Sequence, residues 1–272
     1  MLKITIGQYY PAQSPIHRMD ARMKLLCTIT FITILFFVSN FVGYGFAALF
    51  LFSVIKTSKV PLRYLLRGLR AIFFIILFTA FLNIFFTPTG NTLVSFGFIT
   101  ITDLGLLNAA RMALRLFMLI ISSSMLMLTT TPIQMTDAIE FGLKPFNKIG
   151  VPAHEIAMMM TIAMRFIPTL IEEMDKIMKA QMARGADFDT GGIIKKAKSM
   201  VPLLVPLFIS AFRRAEELAL AMEARCYRGD AGRTRMKVMK MRASDYIALS
   251  IIGLFVGGVF VIEYFAGVFG LY

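Results

Sequence analysis

Long apolar runs separated by short charged segments dominate the chain, and these runs predict membrane-spanning helices. Residues 25–55 form a run longer than one crossing requires, and Asn40 and Gly43 in its middle predict a turn. We therefore interpret this run as a hairpin of two short spans. In the last apolar run, Gly253 and Gly257 have the spacing that lets helices pack closely. Three further spans are predicted at about residues 71–86, 104–130 and 247–270.

The pattern changes after residue 131 to one that is typical of amphipathic helices. Apolar residues recur every three or four positions, and charged residues occupy the other faces. Thr131 followed by Pro132 has the form of an N-cap and a first helical residue, so a short helix is predicted to start there and end near Gly150. Two long helices are predicted after it.

The first long helix is predicted to run from Pro152 to a C-cap at Gly185. Within it, Pro168 follows Arg165 closely and frees a backbone carbonyl, which predicts a kink. The second long helix is predicted to start near Pro202. Charged side chains expected on the outward faces are Glu172, Glu173, Lys176 and Lys179 on the first helix and Arg213, Arg214, Glu216 and Glu217 on the second.

Composition places the chain among integral membrane proteins, since 57% of its 272 residues are hydrophobic, 17% are charged and the mean hydropathy is +0.72. The net charge of +13 is confined to certain segments, so it indicates orientation rather than nucleic-acid binding. None of the 29 basic residues falls in a predicted external loop, whereas residues 131–246 hold 18 of them. The N-terminus and residues 131–246 are therefore predicted to be cytoplasmic.

This topology predicts an all-α membrane protein with about five transmembrane helices and a cytoplasmic region of one short and two long amphipathic helices. Residues 1–130 contain the N-terminal segment and the first four spans, residues 131–246 the cytoplasmic helices, and residues 247–272 the last span.

Arg111 and Arg115 do not fit this pattern, because they lie four residues apart on one face of the fourth span. One interpretation places them near the outer interface, where they snorkel or bond loop carbonyls and Asp103. The other is a buried contact that organises the helix bundle.

Two similar helix endings, Ala183-Arg184-Gly185 and Ala224-Arg225-Cys226, are the candidate functional residues. An arginine in a last helical turn is commonly an ordinary cap. A guanidinium at a protruding helix end can also enter a groove of a partner and bind it bidentately. The second helix is expected to end between Arg225 and Gly229, because no glycine directly follows Arg225.

A possible surface for a membrane partner lies on the first long helix, where soft, unbranched side chains suit variable partners, although such residues are often only packing filler. Its residues are Met160, Met164, Ile167, Met174 and Met178. The chain has no phosphate-binding Gly-x-x-x-x-Gly-Lys-Ser/Thr loop, no cluster of metal ligands and no paired nucleophile and base, so neither a catalytic residue nor a cofactor is predicted. A membrane-embedded enzyme acting on lipid is the alternative function.

Four motifs carry a resemblance to a known family, and they cover the region from Leu128 to Gly229 most densely. The chain resembles the transmembrane T component of energy-coupling factor (ECF) transporters, the family that includes the cobalt-uptake protein CbiQ. The motifs are Leu128-Thr129-Thr130-Thr131-Pro132, Met164-Arg165-Phe166-Ile167-Pro168, Ala180-Gln181-Met182-Ala183-Arg184-Gly185 and Ala221-Met222-Glu223-Ala224-Arg225.

The resemblance implies a multi-pass protein of the prokaryotic cell membrane that couples other subunits. Arg184 and Arg225 would match the paired Ala-Arg-Gly motifs that dock into two ABC-type ATPase subunits. A separate small membrane protein, the S component, would capture a vitamin or metal ion. The second motif departs from the family pattern, because Cys226 stands where glycine is expected.

Overall fold

The computed structural model describes residues 9–86, 92–96, 99–186, 188, 192–229 and 241–269. Most of these residues are helical. The helices in chain order are α1 (Pro15–Arg18), α2 (Ala21–Phe37), α3 (Phe41–Ser58), α4 (Leu62–Phe86), α5 (Asp103–Thr129), α6 (Pro132–Leu143), α7 (Ala153–Ala183), α8 (Ile193–Ala224) and α9 (Ala243–Phe269). An antiparallel hairpin of β1 (Thr92–Phe96) and β2 (Ile99–Thr102) lies between α4 and α5, and the 3-10 turn Lys144–Ile149 follows α6.

The helices confirm the predicted all-α membrane protein, and the short hairpin is an addition in a region predicted to be a loop. Within the part of the chain that the structure describes, four helices are long and apolar enough to cross a membrane, namely Phe41–Ser58, Asp103–Thr129, Ala153–Ala183 and Ala243–Val268. Helix α4 contains the shorter apolar segment Phe73–Phe85, and α2 has 17 residues. The second half of α7 carries five charged residues, which is why we still expect α7 outside the bilayer.

The chain divides into two compact units. The first, unit 1, comprises Met1–Ile6 and Ile139–Val238, and the second, unit 2, comprises Gly7–Ala138 and Met239–Tyr272. Unit 2 contains α1 to α5, the hairpin and α9, whereas unit 1 contains α7 and α8.

The start of α6 has the predicted capping geometry. The backbone N–H of Gln134 donates to the Thr131 hydroxyl at 3.4 Å, and the N–H of Thr131 donates to the Gln134 side-chain oxygen at 3.3 Å. This reciprocal pair satisfies two donors that the first helical turn would otherwise leave free.

Aromatic stacking around Phe255 joins α9 to α2 and α3 in the core of unit 2. Phe255 is 2% exposed, and its ring centroid lies 5.4 Å from that of Phe31, 5.5 Å from Phe46 and 4.4 Å from Phe50. Buried aromatic pairs stabilise a fold beyond the area that they remove from solvent.

The close approach of α9 depends on Gly258, and the prediction for Gly253 and Gly257 is wrong. Among the described residues, a Cβ atom added at either of those two positions would meet no atom within 4 Å outside the nearby backbone of its own helix. A Cβ at Gly258 would instead lie 3.0 Å from the ring of Phe46. The spacing rule identifies a face of small residues, but the residue in contact is decided by how the helix is rotated.

At one end of the unit 2 bundle, hydrogen bonds connect the N-terminal residues, α2, α5 and α9. The N–H of Tyr10 donates to Leu128 O at 2.9 Å, and the buried Lys24 ammonium donates to Thr129 O at 2.8 Å. The carboxylate of Asp245 accepts from the N–H of Asp20 at 3.0 Å. These bonds satisfy helix ends that would otherwise be buried without partners.

At the other end, two charged side chains hold the turn between α2 and α3. The Arg115 guanidinium on α5 donates to Val38 O at 3.0 Å and to the Tyr44 hydroxyl at 3.0 Å. The Glu263 carboxylate on α9 accepts from the N–H of Ser39 at 2.8 Å and from the Asn40 side chain at 3.0 Å. Arg115 therefore bonds a carbonyl in a turn, as the first interpretation of this residue expects. The same bonds join α5 to α2 and α3, as the second interpretation expects.

Substituting Gly258 by alanine should destabilise unit 2, because the new Cβ would overlap the Phe46 ring. We expect a cost of about 1–2 kcal/mol. The matched control is Gly257→Ala, which meets open space and gains helix propensity. Thermal unfolding in one detergent should separate the two variants, and equal melting temperatures would contradict the packing described here.

Substituting Glu263 by alanine should also destabilise unit 2, because it leaves the N–H groups of the α2–α3 turn without an acceptor. We expect a loss of about 1–3 kcal/mol in the free energy of unfolding. Asp103→Ala, which removes an exposed carboxylate from the same unit, should cost less than about 1 kcal/mol. The same thermal unfolding assay tests both variants. A Glu263 variant as stable as the Asp103 variant would show that Glu263 does not stabilise the α2–α3 turn.

Candidate functional site

Helix α7 ends at Ala183 in a well-defined C-cap. Arg184 is the cap residue with φ −87° and ψ 7°, and Gly185 adopts the left-handed conformation with φ +87°. The N–H of Gly185 donates to Met182 O at 3.0 Å, and the N–H of Ala186 donates to Gln181 O at 3.0 Å. These two bonds form a Schellman motif, which satisfies carbonyls at the helix end.

Helix α8 ends in the same motif. Arg225 is the cap residue with φ −90° and ψ 13°, and Cys226 takes the left-handed conformation with φ +55°. The N–H of Cys226 donates to Glu223 O at 2.8 Å, and the N–H of Tyr227 donates to Met222 O at 3.1 Å. The helix therefore ends at the early limit of the range predicted from the sequence, although glycine is absent.

The left-handed conformation of Cys226 is unusual, because an L-residue there costs roughly 1–2 kcal/mol relative to the right-handed form. The cap geometries of Arg184 and Arg225 nevertheless agree within a few degrees. The two arginines thus leave their helices in nearly the same local orientation.

Both arginine side chains are available to a partner. Arg184 and Arg225 are exposed, and so are the four residues beside them. Within the described part of the chain, neither guanidinium takes part in an ion pair or a side-chain hydrogen bond. The flanking residues are Ala183, Gly185, Ala224 and Cys226. Each helix end therefore presents five unused N–H donors in a planar fork.

An ion pair connects α7 with α8 inside unit 1. Glu173 on α7 accepts from the Arg214 guanidinium and from the Ser210 hydroxyl through different carboxylate oxygens. Ser210 and Arg214 are four residues apart, so one face of α8 supplies both donors. The prediction that Glu173 and Arg214 point outward is wrong, because their side chains face each other between the helices.

This contact relates the two helix ends to each other. Glu173 and Arg214 are separated by 41 residues, and Arg225 follows Arg184 by the same number. Each contact residue consequently lies 11 residues before its arginine, or about 16 Å along the helix axis. The two helices therefore touch at equivalent positions and extend beyond that point by equal lengths.

The methionine surface predicted on α7 is only partly exposed. Ile167 is 37% exposed, whereas its four methionine neighbours on the predicted surface are half-buried. These methionines are Met160, Met164, Met174 and Met178. Arg165 and Pro168 are exposed, and α7 continues as one helix through Pro168. The predicted kink remains a prediction.

Helix α8 carries an exposed apolar strip that is larger than the surface predicted on α7, and the helical spacing of Leu204 and Phe208 in the sequence indicates part of it. Phe208, Ile209 and Phe212 are 61%, 65% and 72% exposed. The strip recurs at steps of three and four residues, so it occupies one face of the helix. Its members are Val201, Leu204, Val205, Phe208, Ile209 and Phe212, which we call the α8 strip. The absence of charged residues between Lys198 and Arg213 is the sequence signal that could have identified it.

Unit 2 also contains a cavity of about 420 Å³. Its walls come from α1, α2, α3, α5 and α9, and its ionisable side chains are those of Lys24 and Cys27. An enzyme acting on lipid would need several ionisable groups facing one cavity. The described lining thus offers no specific support for that alternative.

Comparison with known proteins identifies relatives over nearly the whole chain. The sequence model of a family described as cobalt transport protein, CbiQ, matches residues 12–238. The energy-coupling factor transporter transmembrane protein EcfT of Thermosediminibacter oceani is 55% identical over 258 residues, which cover 95% of this chain and 97% of that protein. EcfT of Clostridium kluyveri is 58% identical over 246 residues, covering 90% and 91% of the two chains. EcfT of Ruminiclostridium cellulolyticum is 51% identical over 261 residues, covering 96% and 97%.

Exchanging the residues at the two left-handed positions should shift stability in opposite directions. Gly185→Cys places an L-residue at φ +87° and should destabilise the end of α7 by about 1 kcal/mol. Cys226→Gly should stabilise the end of α8 by a smaller amount, because glycine also gains freedom in the unfolded chain. Thermal unfolding of the purified variants, followed by circular dichroism, measures both, and shifts of the same sign would rule out this account of the caps.

Proposed function

The chain belongs to the cobalt transport protein (CbiQ) family, and on this basis, together with its similarity to EcfT proteins, we propose that it is the membrane scaffold and coupling subunit of an energy-coupling factor transporter. In this role it would transmit the ATP-driven motion of two ABC-type ATPase subunits to a small S component embedded in the membrane. The cargo would be a vitamin or a metal ion. Hydrolysis of ATP would be the work of the partner ATPases.

The observation that carries this proposal is the pair of matching, exposed arginine caps. Two helix ends with the same backbone geometry suit two equivalent binding grooves, and a dimer of ATPases would provide one groove on each subunit. Each guanidinium can bind carboxylates or carbonyls in a groove of its ATPase through parallel N–H···O bonds.

The contact between Glu173 and Arg214 supports the coupling mechanism. It lies at the same distance from each arginine, so movement of the two ATPases would act through arms of equal length. A displacement at either arginine would be transmitted along a hydrogen-bonded helix rather than through a loop. The two helices would then move against each other around this contact.

The α8 strip, together with the predicted surface on α7, would bind the S component. Phe208 and Phe212 expose large apolar rings, and exposed apolar surface of this extent marks an interaction site. The half-buried methionines of α7 would border it with side chains that adapt to different partners. Several S components could compete for such a surface.

The orientation in the cell membrane follows from the charge distribution in the sequence. Lys and Arg concentrate from the start of the chain to the first turn of α2, around the turn between α3 and α4, and after α5, which supports a cytoplasmic location for the N-terminus and for the helices α7 and α8. This is the side on which ATP is available to the partner subunits.

Reversing the charge at both helix ends tests the proposal. Arg184→Glu combined with Arg225→Glu should reduce co-purification of the two ATP-binding subunits by at least about tenfold, since repulsion replaces two charge-assisted attachments. The double variant should remain in the membrane fraction with an unchanged helical content, because both residues are exposed. Quantitative gel analysis of the complex purified in mild detergent provides the measurement.

The matched control reverses two other exposed charges on the same helices, Lys179→Glu with Arg213→Glu, and changes the net charge equally. This control should retain both ATP-binding subunits. Normal assembly of the Arg184 and Arg225 double variant, or equal loss in the control, would defeat the docking assignment.

A further inference from the structure

Arg111 and Arg115 on α5 have no carboxylate partner among the described residues of unit 2. No ion pair joins either residue to a carboxylate within residues 9–86, 92–96, 99–138 and 241–269. Glu263 is bonded to the α2–α3 turn, and Asp103 is exposed at the start of α5. The five carboxylates of this unit are Asp20, Asp103, Asp137, Asp245 and Glu263. Uncompensated charge in a membrane-spanning helix is costly, so a counter-charge from beyond these described residues is expected.

The two arginines differ in how their donors are used. Arg115 is fixed by its bonds to Val38 O and to the Tyr44 hydroxyl. Arg111 has a buried Nε atom without a hydrogen-bond acceptor, and its guanidinium lies 5.5 Å from the centroid of the Phe41 ring. A buried donor without an acceptor costs about 1–3 kcal/mol. Arg111 is therefore the residue with unused binding capacity.

The position of Arg111 gives it access to the headgroup region. It lies eight residues after the first residue of α5, about 12 Å along the axis, and helical side chains lean toward the N-terminus of their helix. The α5 N-terminus faces the outer side in the proposed topology, so the guanidinium extends toward the outer headgroups. The neighbouring ring of Phe41 is 42% exposed and that of Phe36, which lies 5.6 Å from the Arg115 guanidinium, is 59% exposed. Both rings are therefore able to contact lipid next to the half-buried arginines.

We propose that Arg111, supported by Arg115, binds the phosphate group of an anionic phospholipid in the outer leaflet. Two guanidinium groups and the Glu263 carboxylate around the α2–α3 turn leave one positive charge, which a phosphodiester neutralises. The phosphate oxygens bind the two terminal nitrogens of the Arg111 guanidinium, which, unlike Nε, are not enclosed and have no acceptor among the described residues. The Phe36 and Phe41 rings pack against the acyl chains. The bound lipid would lie next to the α2–α3 turn and would supply hydrogen-bond acceptors to the Arg111 guanidinium.

Native mass spectrometry of the full chain tests this site. Wild-type protein and variants are released from nanodiscs of phosphatidylcholine with phosphatidylglycerol, and bound phosphatidylglycerol is counted per protein. Arg111→Gln should weaken binding of phosphatidylglycerol about fivefold, and Arg111→Lys should weaken it less, because an ammonium retains the charge without the planar fork. Arg63→Gln, which removes an exposed charge at the start of α4, should have no effect. The melting temperature of each variant reports its folding.

Three results would overturn the proposal. The first is binding that is equal in wild type and Arg111→Gln, and the second is an equal loss in Arg63→Gln. The third is displacement of the lipid by excess inorganic phosphate, which would make the site one for a free anion.

If Arg111→Gln does not fold, the comparison between wild type and Arg111→Lys decides, and equal binding by those two would count against the site. If Arg111→Gln instead loses a co-purified membrane protein and keeps its bound lipid, Arg111 binds a carboxylate of that protein and the lipid proposal is wrong.

Discussion

The structure of the membrane unit depends on how the turn between α2 and α3 is satisfied. These helices have 17 and 18 residues, or about 25 Å and 27 Å, which is less than the roughly 30 Å hydrocarbon thickness. The turn therefore lies near the edge of the hydrocarbon region, where few water molecules pair its backbone groups and bonds from the protein satisfy them. Arg115 from α5 and Glu263 from α9 provide these bonds. One short turn thus fixes four helices and explains why charged residues occupy membrane helices.

A second charged contact has a comparable role in unit 1. The Glu173 carboxylate joins α7 to α8 at equivalent positions, so the length of helix between the contact and the terminal arginine is the same in both helices. Its hydrogen bonds come from a hydroxyl and a guanidinium on one face of α8. Such a contact resists rotation of each helix about its own axis, which a purely apolar interface would permit. The orientation of both arginines follows from it, since each lies 11 residues beyond the contact.

Helix type and approximate position could be predicted from the sequence because they depend on hydrophobic period and on local caps such as Thr131 with Gln134. The residues that face a neighbouring helix could not. Arg214 has the charge pattern of a solvent-exposed residue, and only tertiary packing places it against Glu173. Gly258 likewise differs from Gly257 by a single position, and the rotation of α9 decides which of them meets Phe46. Side-chain partners of this kind depend on contacts between distant segments, which the local pattern does not contain.

The end of α8 shows how strongly the fold imposes one geometry. Local preference favours glycine at the left-handed position, and Cys226 occupies it nonetheless, with the same hydrogen bonds as at Gly185. Because the cap costs free energy with a cysteine, contacts elsewhere must outweigh that cost, and the packing of α8 against α7 is the available source. The agreement between the two caps is then a property of the helix pair. If the two ends engage equivalent partners, as proposed above, a fixed relation between them matters more than the residue that forms each cap.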